Sequence, residues 1–298
     1  MIRIGITGAC GFVGSNVIQE LIKNKYEVIA YTTNSTKIKL KSEQNIVYKD
    51  YSRLFEDFEY NTLKMCDAFI IAHGVAHTNI KHEIRSAYKT NYLDVVRIAS
   101  LCLQAGVKKL IFVSSAGAYS EYDCSDDLIN LMQLKALAEK KLNEIFGNSQ
   151  NLIVLKPVLM YGKGMKGSLK TLQKLSNSEL PLPIKNIKTK RSYLSLNSFS
   201  MLVSMCIETE FLKNETFYVS DDDSVSLRDL VSVMRKKPSR LITFHVPRFA
   251  IKAILKIMGK KSLYDQIYLE NVVDLNLVKS ATGWKPILNT CRAVRYEL

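Results

Sequence analysis

From its first residues the chain alternates short, uninterrupted apolar runs with longer stretches in which apolar residues recur every three or four positions. The runs are "IRIGIT", "EVIAY", "NIVYKD", "DAFIIAHG", "KLIFVSS" and "LIVLKP", all of strand length. Between them, Val17, Ile18, Leu21 and Ile22 fall at helical spacing. Tyr88, Tyr92, Val95, Ala99 and Cys102 repeat at steps of 4, 3, 4 and 3, which predicts one helix with an apolar face. Gly106 is placed to end it, and Gly147 to end a later helix through "LKALAEKKLNEIF". Strands without polar alternation, separated by amphipathic helices, predict a parallel sheet covered on both faces. Right-handed crossovers make a doubly wound α/β sheet the expected topology. After Pro157 the rhythm breaks into the glycine-rich "YGKGMKGS", a helix, an "LPLPI" turn and shorter elements. The expected organisation is a first domain over residues 1–156 and a smaller lobe over 157–298, packed on it without a linker.

Composition narrows the class. At 298 residues and 47% hydrophobic, the chain can bury a sizeable core. A formal net charge of +14 favours anionic ligands. The lysines are scattered without a basic–aromatic module, so no nucleic-acid partner is expected. Cys10, Cys66, Cys102, Cys124, Cys206 and Cys291 form no C-x-x-C pair, which suits reduced thiols. His73, His77 and His82 lie close together but without a cysteine or carboxylate cluster, so no metal site is expected. Glycines interrupt the first apolar residues, unlike a signal peptide, and no stretch approaches the ~20 apolar residues that span a bilayer. A soluble, cytoplasmic protein is the expectation. "VPRFAIKAILKIMGKKS" has the pattern of a basic amphipathic helix that would suit a membrane surface, but core packing is the expected use of its apolar side.

The stretch "TGACGFVGSN" carries candidate chemistry. It follows the first strand and opens the first helix. Gly8 permits the sharp turn, Gly11 a close backbone approach to a pyrophosphate, and Gly14 tight packing of helix on strand, with Phe12 and Val13 beginning the helix between them. The helix N–H groups then face an anion, which predicts a bound dinucleotide. The end of the second strand, "YTTNSTKIK", has no carboxylate to hold ribose hydroxyls, and Lys37 and Lys39 follow. NAD or NADP is expected, with a slight preference for NADP.

The G-x-x-G-x-x-G spacing begins a resemblance that runs along nearly the whole chain. The sequence resembles the extended short-chain dehydrogenase/reductase family, in its NAD-dependent epimerase/dehydratase group of nucleotide-sugar 4-epimerases and 4-keto reductases. The resemblance implies a Rossmann sheet with a small C-terminal substrate-binding lobe. It implies that Asp50, ending "NIVYKD", contacts adenine, and that Ala72, His73 and Ala76 of "IIAHGVAH" line the nicotinamide ribose. Asn91 of "KTNY" matches the family's helix asparagine, and Ser115 of "FVSSAGAY" its catalytic serine. "LKPVLMYGKG" matches R-P-x-x-x-Y-G-x-G with Lys156 in place of arginine, and Arg191 of "KTKRSYLSL" falls where relatives grip a UDP pyrophosphate. "ATGWKP" matches the closing motif, with Trp284 as a packing residue. The implied function is an NAD(P)-dependent oxidoreductase or epimerase working at carbon 4 of a UDP-hexose or UDP-N-acetylhexosamine for surface polysaccharide. A homodimer is implied by analogy.

One position departs from the family. Its chemistry uses a tyrosine one helical turn before a lysine, Y-x-x-x-K, to move the proton that accompanies hydride transfer. "LKALAE" makes Lys135 the lysine, and four residues earlier stands Leu131. Either another group supplies the proton (Tyr122, Tyr119, Lys135 itself or a water on Ser115), or the chain binds dinucleotide without turnover, as a sensor or an inactive partner subunit. Tyr122 is the preferred replacement.

Overall fold

The computed structural model describes all residues except 1, 35, 37–44, 76–79, 119–130, 148–150, 210–213, 238–240, 258–263, 265, 266 and 269, together with the side chains of 80–83 and 151. Ala76, Tyr119, Tyr122, Lys37 and Lys39 therefore lie outside the described residues.

All six expected strands are present: β1 (Arg3–Thr7), β2 (Glu27–Thr32), β3 (Ile46–Asp50), β4 (Ala68–Ile71), β5 (Lys109–Val113) and β6 (Asn151–Pro157). With β9 (Glu215–Val219) they form one seven-stranded sheet in the order β3-β2-β1-β4-β5-β6-β9, parallel at every pairing. The order reverses direction between β1 and β4. In an open parallel sheet that reversal leaves a crevice outside the carboxyl ends of the strands. Residues of β4 and β5 are buried throughout, as both-face coverage requires. The helices of this part are α1 (Phe12–Lys23), α2 (Glu59–Lys64), α3 (Ile80–Tyr88), α4 (Asp94–Gln104), α5 (Leu131–Phe146), α7 (Leu196–Glu208) and α10 (Asn276–Thr282).

Where one helix was expected through Tyr88 and Cys102, α3 and α4 are joined by a π-helical turn, Lys89–Leu93. Gly106, at φ +76°, ends α4 as expected. The buried Lys109 at the start of β5 donates to the carbonyls of Cys206, Ile207 and Thr209 at 2.7–2.8 Å, satisfying the orphan end of α7. Trp284 is fully buried, a packing residue.

Contacts divide the chain into two units. The first holds Met1–Val158, Phe199–Val219 and Leu275–Trp284; the second holds Leu159–Ser198, Ser220–Asp274 and Lys285–Leu298. The second unit has a three-stranded sheet, β10 (Ser224–Ser226), β8 (Lys190–Ser195) and β7 (Leu159–Tyr161), with α6 (Gly167–Ser176), α8 (Leu227–Met234), α9 (Arg248–Ile257) and α11 (Thr290–Glu297). Its apolar cluster centres on Leu182, Ile184, Ile187 and Val231. The core packing expected for α9 is met on one side, by the buried Leu255 and the half-buried Ala250 and Ile251, while Phe249, Ile254 and Ile257 stand in solvent.

Candidate functional site

Three turns gather at the carboxyl ends of β1, β4 and β5. The first is the glycine turn. Gly8 has φ +70°, which glycine adopts without strain. A Cβ on it would lie 2.7 Å from the Ala72 carbonyl oxygen and 2.8 Å from the His73 nitrogen, so the turn after β1 packs backbone to backbone on the turn after β4. A Cβ on Gly14 would lie 2.2 Å from the Gly8 carbonyl oxygen. The Gly11 N–H closes the turn onto that same oxygen at 2.8 Å. At its Gly11 cap, α1 has no side-chain hydrogen bond and no acid in its first turn, while Phe12 and Val13 are half-buried. An uncapped, acid-free helix start behind a turn with no room for side chains fits the pyrophosphate of a dinucleotide.

The second turn follows β4. His73 Nδ1 lies 2.8 Å from Thr7 Oγ1, and Nε2 lies 3.1 Å from the Thr90 carbonyl and 3.3 Å from the Tyr51 hydroxyl. A carbonyl only accepts, so Nε2 carries the hydrogen and Nδ1 is the acceptor facing Thr7 Oγ1, whose hydroxyl also reaches the Ile70 carbonyl at 3.4 Å. Burial pushes the imidazole pKa down to about 4, keeping it neutral at physiological pH. Asn91 sits in the π-helical turn and is 1% exposed. Its amide pairs with both backbone groups of Val75, accepting at 2.8 Å and donating at 3.0 Å. That pairing fixes the strand that carries Ala72 and His73 onward. π-helical turns recur at functional sites.

The third turn follows β5. Lys135 reaches from α5 and donates to the carbonyls of Val113 and Ser114, both at 3.1 Å. An ammonium has three donors, so two are committed and one is left. A Cβ placed on Gly74 would lie 3.9 Å from Lys135 Nζ and 3.3 Å from Asn91 Oδ1, which puts all three residues together. Burial lowers the amine's pKa to about 8, partly countered by the charge of Glu139. Ser115 Oγ accepts from Gly117 N–H at 3.2 Å, so its own hydrogen remains to be donated. Glu139 sits one turn beyond Lys135. Its carboxylate takes the Ser114 hydroxyl and Lys156 Nζ, the latter at 2.7 Å, with side chains 13% and 7% exposed. Lys156 also donates to the Ala118 carbonyl at 2.8 Å. The lysine standing for the family's arginine thus pins the segment that carries Ser115. Paired in this way, Glu139 acts as an acceptor.

Leu131 is buried among Ala87 and Leu134, with Tyr92 and Leu137 packed against them. Four residues before Lys135, α5 thus makes an apolar contact.

Two further predicted residues stand on other elements. Asp50, at the end of β3 beside Thr32 of β2, caps the following turn by accepting from Ser52 N–H at 2.8 Å and its hydroxyl at 2.6 Å, which hold its carboxyl below the usual range. Arg191 lies half-buried on β8 in the second unit, bridged to Asn271. Also in that unit, Asp221 receives Tyr161 at 2.5 Å, Ser195 N–H at 3.1 Å and Thr290 at 3.3 Å. A cavity of about 580 Å³ lined by Arg3, Glu27 and Asn45 lies at the opposite, amino-terminal ends of the strands. Glu139, Thr7 and Asp221 went unnoticed in the sequence. For Glu139 a signal existed: it repeats the four-residue step from Leu131 to Lys135.

The parallel sheet and its glycine turn define a Rossmann-type α/β protein. Residues 4–199 match the NAD dependent epimerase/dehydratase family, and the chain belongs to that family. It is 28% identical to a UDP-glucose 4-epimerase of Vibrio cholerae, over 94% of this chain and 90% of that one. It is 22% identical to a dTDP-4-dehydro-6-deoxyglucose reductase of Escherichia coli, over 94% and 92%. Among solved structures it is similar to a UDP-glucuronic acid 4-epimerase from Bacillus cereus in complex with NAD, with TM-score 0.74 and 15% identity over 99% of this chain and 95% of that one.

Proposed function

We propose that the chain is an NAD(P)-dependent nucleotide-sugar enzyme, an epimerase or 4-keto reductase acting at carbon 4 of a UDP-hexose or UDP-N-acetylhexosamine in surface polysaccharide synthesis. The observation that carries this reading is the Lys135 amine. It is half-buried at the carboxyl end of β5, bonded to two carbonyls, with one donor left beside Asn91 and Gly74. The names of the relatives, epimerases and a sugar reductase, agree with it.

Gly8, Gly11, Phe12, Val13 and Gly14 hold the pyrophosphate, Asp50 the adenine end, and Ala72, His73, Ala76 and Asn91 the ribose side. A bound nicotinamide supplies the acceptor and donor of a hydride. Lys135 gives its remaining N–H to a ribose hydroxyl and places positive charge where an oxyanion develops, favouring loss of the sugar's proton. Ser115 donates its free hydrogen to the sugar oxygen. Tyr122 moves the proton, and Arg191 grips the UDP diphosphate. The second strand's end, without a carboxylate, suits NADP as well as NAD; tighter binding of NADP in a titration is the expected result, and at least tenfold tighter NAD would reverse that preference. A cytoplasmic homodimer is the expected form, read by light scattering.

The apolar burial of Leu131 favours a second reading, a dinucleotide binder without turnover. Incubation with NAD and UDP-glucose or UDP-N-acetylglucosamine, followed by proton NMR of the anomeric signals, separates these. A 4-epimer identifies an epimerase. A parallel incubation with NADH or NADPH and a UDP-4-keto-hexose supplies the hydride that a reductase needs; conversion of that sugar alone identifies a reductase, and neither reaction leaves the binder.

A further inference from the structure

Helix α9 buries Leu255 and half-buries Ile251, yet carries a second apolar row outward. Residues four apart share a helix face, so Phe249, Ala253 and Ile257 form one row, with Ile254 beside it. Phe249 is 77% exposed, Ile254 53% and Ile257 87%. The chain entering the helix also exposes Ile242 and Phe244. A surface helix normally buries its apolar stripe and shows its polar face. A cluster of exposed large apolar groups marks an interaction surface.

Charge selects the partner. Arg248, Lys252 and Lys256 form a second row, also four apart, directly beside the apolar one. Arg248 and Lys252 are steadied over the rings of Tyr268 and Tyr264, at 5.2 and 5.7 Å. Residues 230–264 contain nine lysines and arginines and no aspartate or glutamate. A second copy would bring cations against cations, which opposes self-association through this face. An anionic bilayer satisfies both rows at once: acyl chains take the apolar side chains, and flexible lysine stems carry their charges to the headgroups. Among the described residues no helix is long and apolar enough to cross a membrane, so the contact is peripheral.

We propose that α9 is a docking face for an anionic lipid surface, lying in its plane with Phe249, Ile254 and Ile257 at the acyl boundary and Lys252 and Lys256 at the headgroups. The proposal is independent of the reaction the first unit performs.

The test is co-sedimentation of the full chain with vesicles of phosphatidylcholine, with and without phosphatidylglycerol. The wild type is expected to bind the anionic vesicles at least tenfold more strongly than the neutral ones, and less as salt rises. The double variant Phe249→Gln, Ile257→Gln changes only exposed side chains. It should keep its thermal midpoint and lose at least tenfold in vesicle binding, and Lys256→Glu should also weaken it. Three results overturn the proposal: no binding of the wild type to anionic vesicles; equal binding by the double variant, which would reduce the effect to adhesion of a basic protein; or a lipid-free mass halved by the double variant, which would assign the face to a second copy.

Discussion

Leu131 and Lys135 stand one turn apart on α5 in opposite environments: Leu131 packs against Ala87 and Leu134, while Lys135 Nζ bonds the carbonyls of Val113 and Ser114 at 3.1 Å. The four-residue spacing joins an apolar packing residue to a half-buried lysine. Lys135→Met keeps the stem and removes the charge. Dinucleotide affinity is expected to fall at least tenfold and turnover by ~10²–10⁴-fold. Quenching of reduced-nicotinamide fluorescence and a steady-state rate measure the two; unchanged values would remove Lys135 from the site.

If Tyr122 supplies the proton, Tyr122→Phe lowers turnover by ~10²–10⁴-fold and leaves dinucleotide affinity in place, whereas Tyr119→Phe has a smaller effect. Leu131→Tyr does not restore activity to that variant. Its ring enters a filled apolar cluster and costs about 1–3 kcal/mol of stability. Rates of the three variants, with denaturation of the last, check this.

Lys156 and Glu139 form an ion pair almost closed to water. Removing one partner strands a buried charge, so Glu139→Ala or Lys156→Met should each cost about 3–5 kcal/mol in urea unfolding. Removing both by Glu139→Leu and Lys156→Met should cost less than the sum. A full additive loss would mean that the two side chains act separately.

Burial, the larger influence, pushes the Asp221 carboxyl up from 3.8 to about 7, although Tyr161, Ser195 and Thr290 donate to it. Between those values the fold keeps a proton that the unfolded chain has released. The associated stability is fully present below about pH 4 and is lost as pH rises through about 7. Relative to Asp221→Asn, the wild type should lose on the order of 4 kcal/mol across that interval. Denaturant unfolding of both proteins at several pH values measures it, and a difference that stays flat would place the ionised carboxylate in the folded protein throughout.

The six strands and the glycine turn were legible because their signals are local: an apolar run, a glycine where no side chain fits. β9 was not, because it joins the sheet by pairing Ile153 with Glu215 across the intervening β7, α6, β8 and α7. The π-helical turn at Asn91 escaped a reading based on 3.6-residue periodicity, and its amide's partner, Val75, lies in another turn. Lys156 showed itself as a substituted arginine, but its carboxylate, Glu139, was visible only once α5 lay against β6. For α9 the pattern disclosed two faces without saying which one the fold covers. Leu131 is the instructive case. Its sequence position raised the doubt about catalysis, and the structure shows it buried in an apolar cluster, while Tyr122 lies outside the described residues.

The most direct measurement is a single turnover. The protein is loaded with NADH or NADPH, a UDP-4-keto-hexose or its N-acetyl form is added, and the absorbance of reduced nicotinamide is followed. The proposed activity predicts oxidation well above the protein-free rate, abolished in Lys135→Met. Tight binding of the reduced dinucleotide with no oxidation by either sugar would contradict it and leave a dinucleotide-binding protein of the same fold.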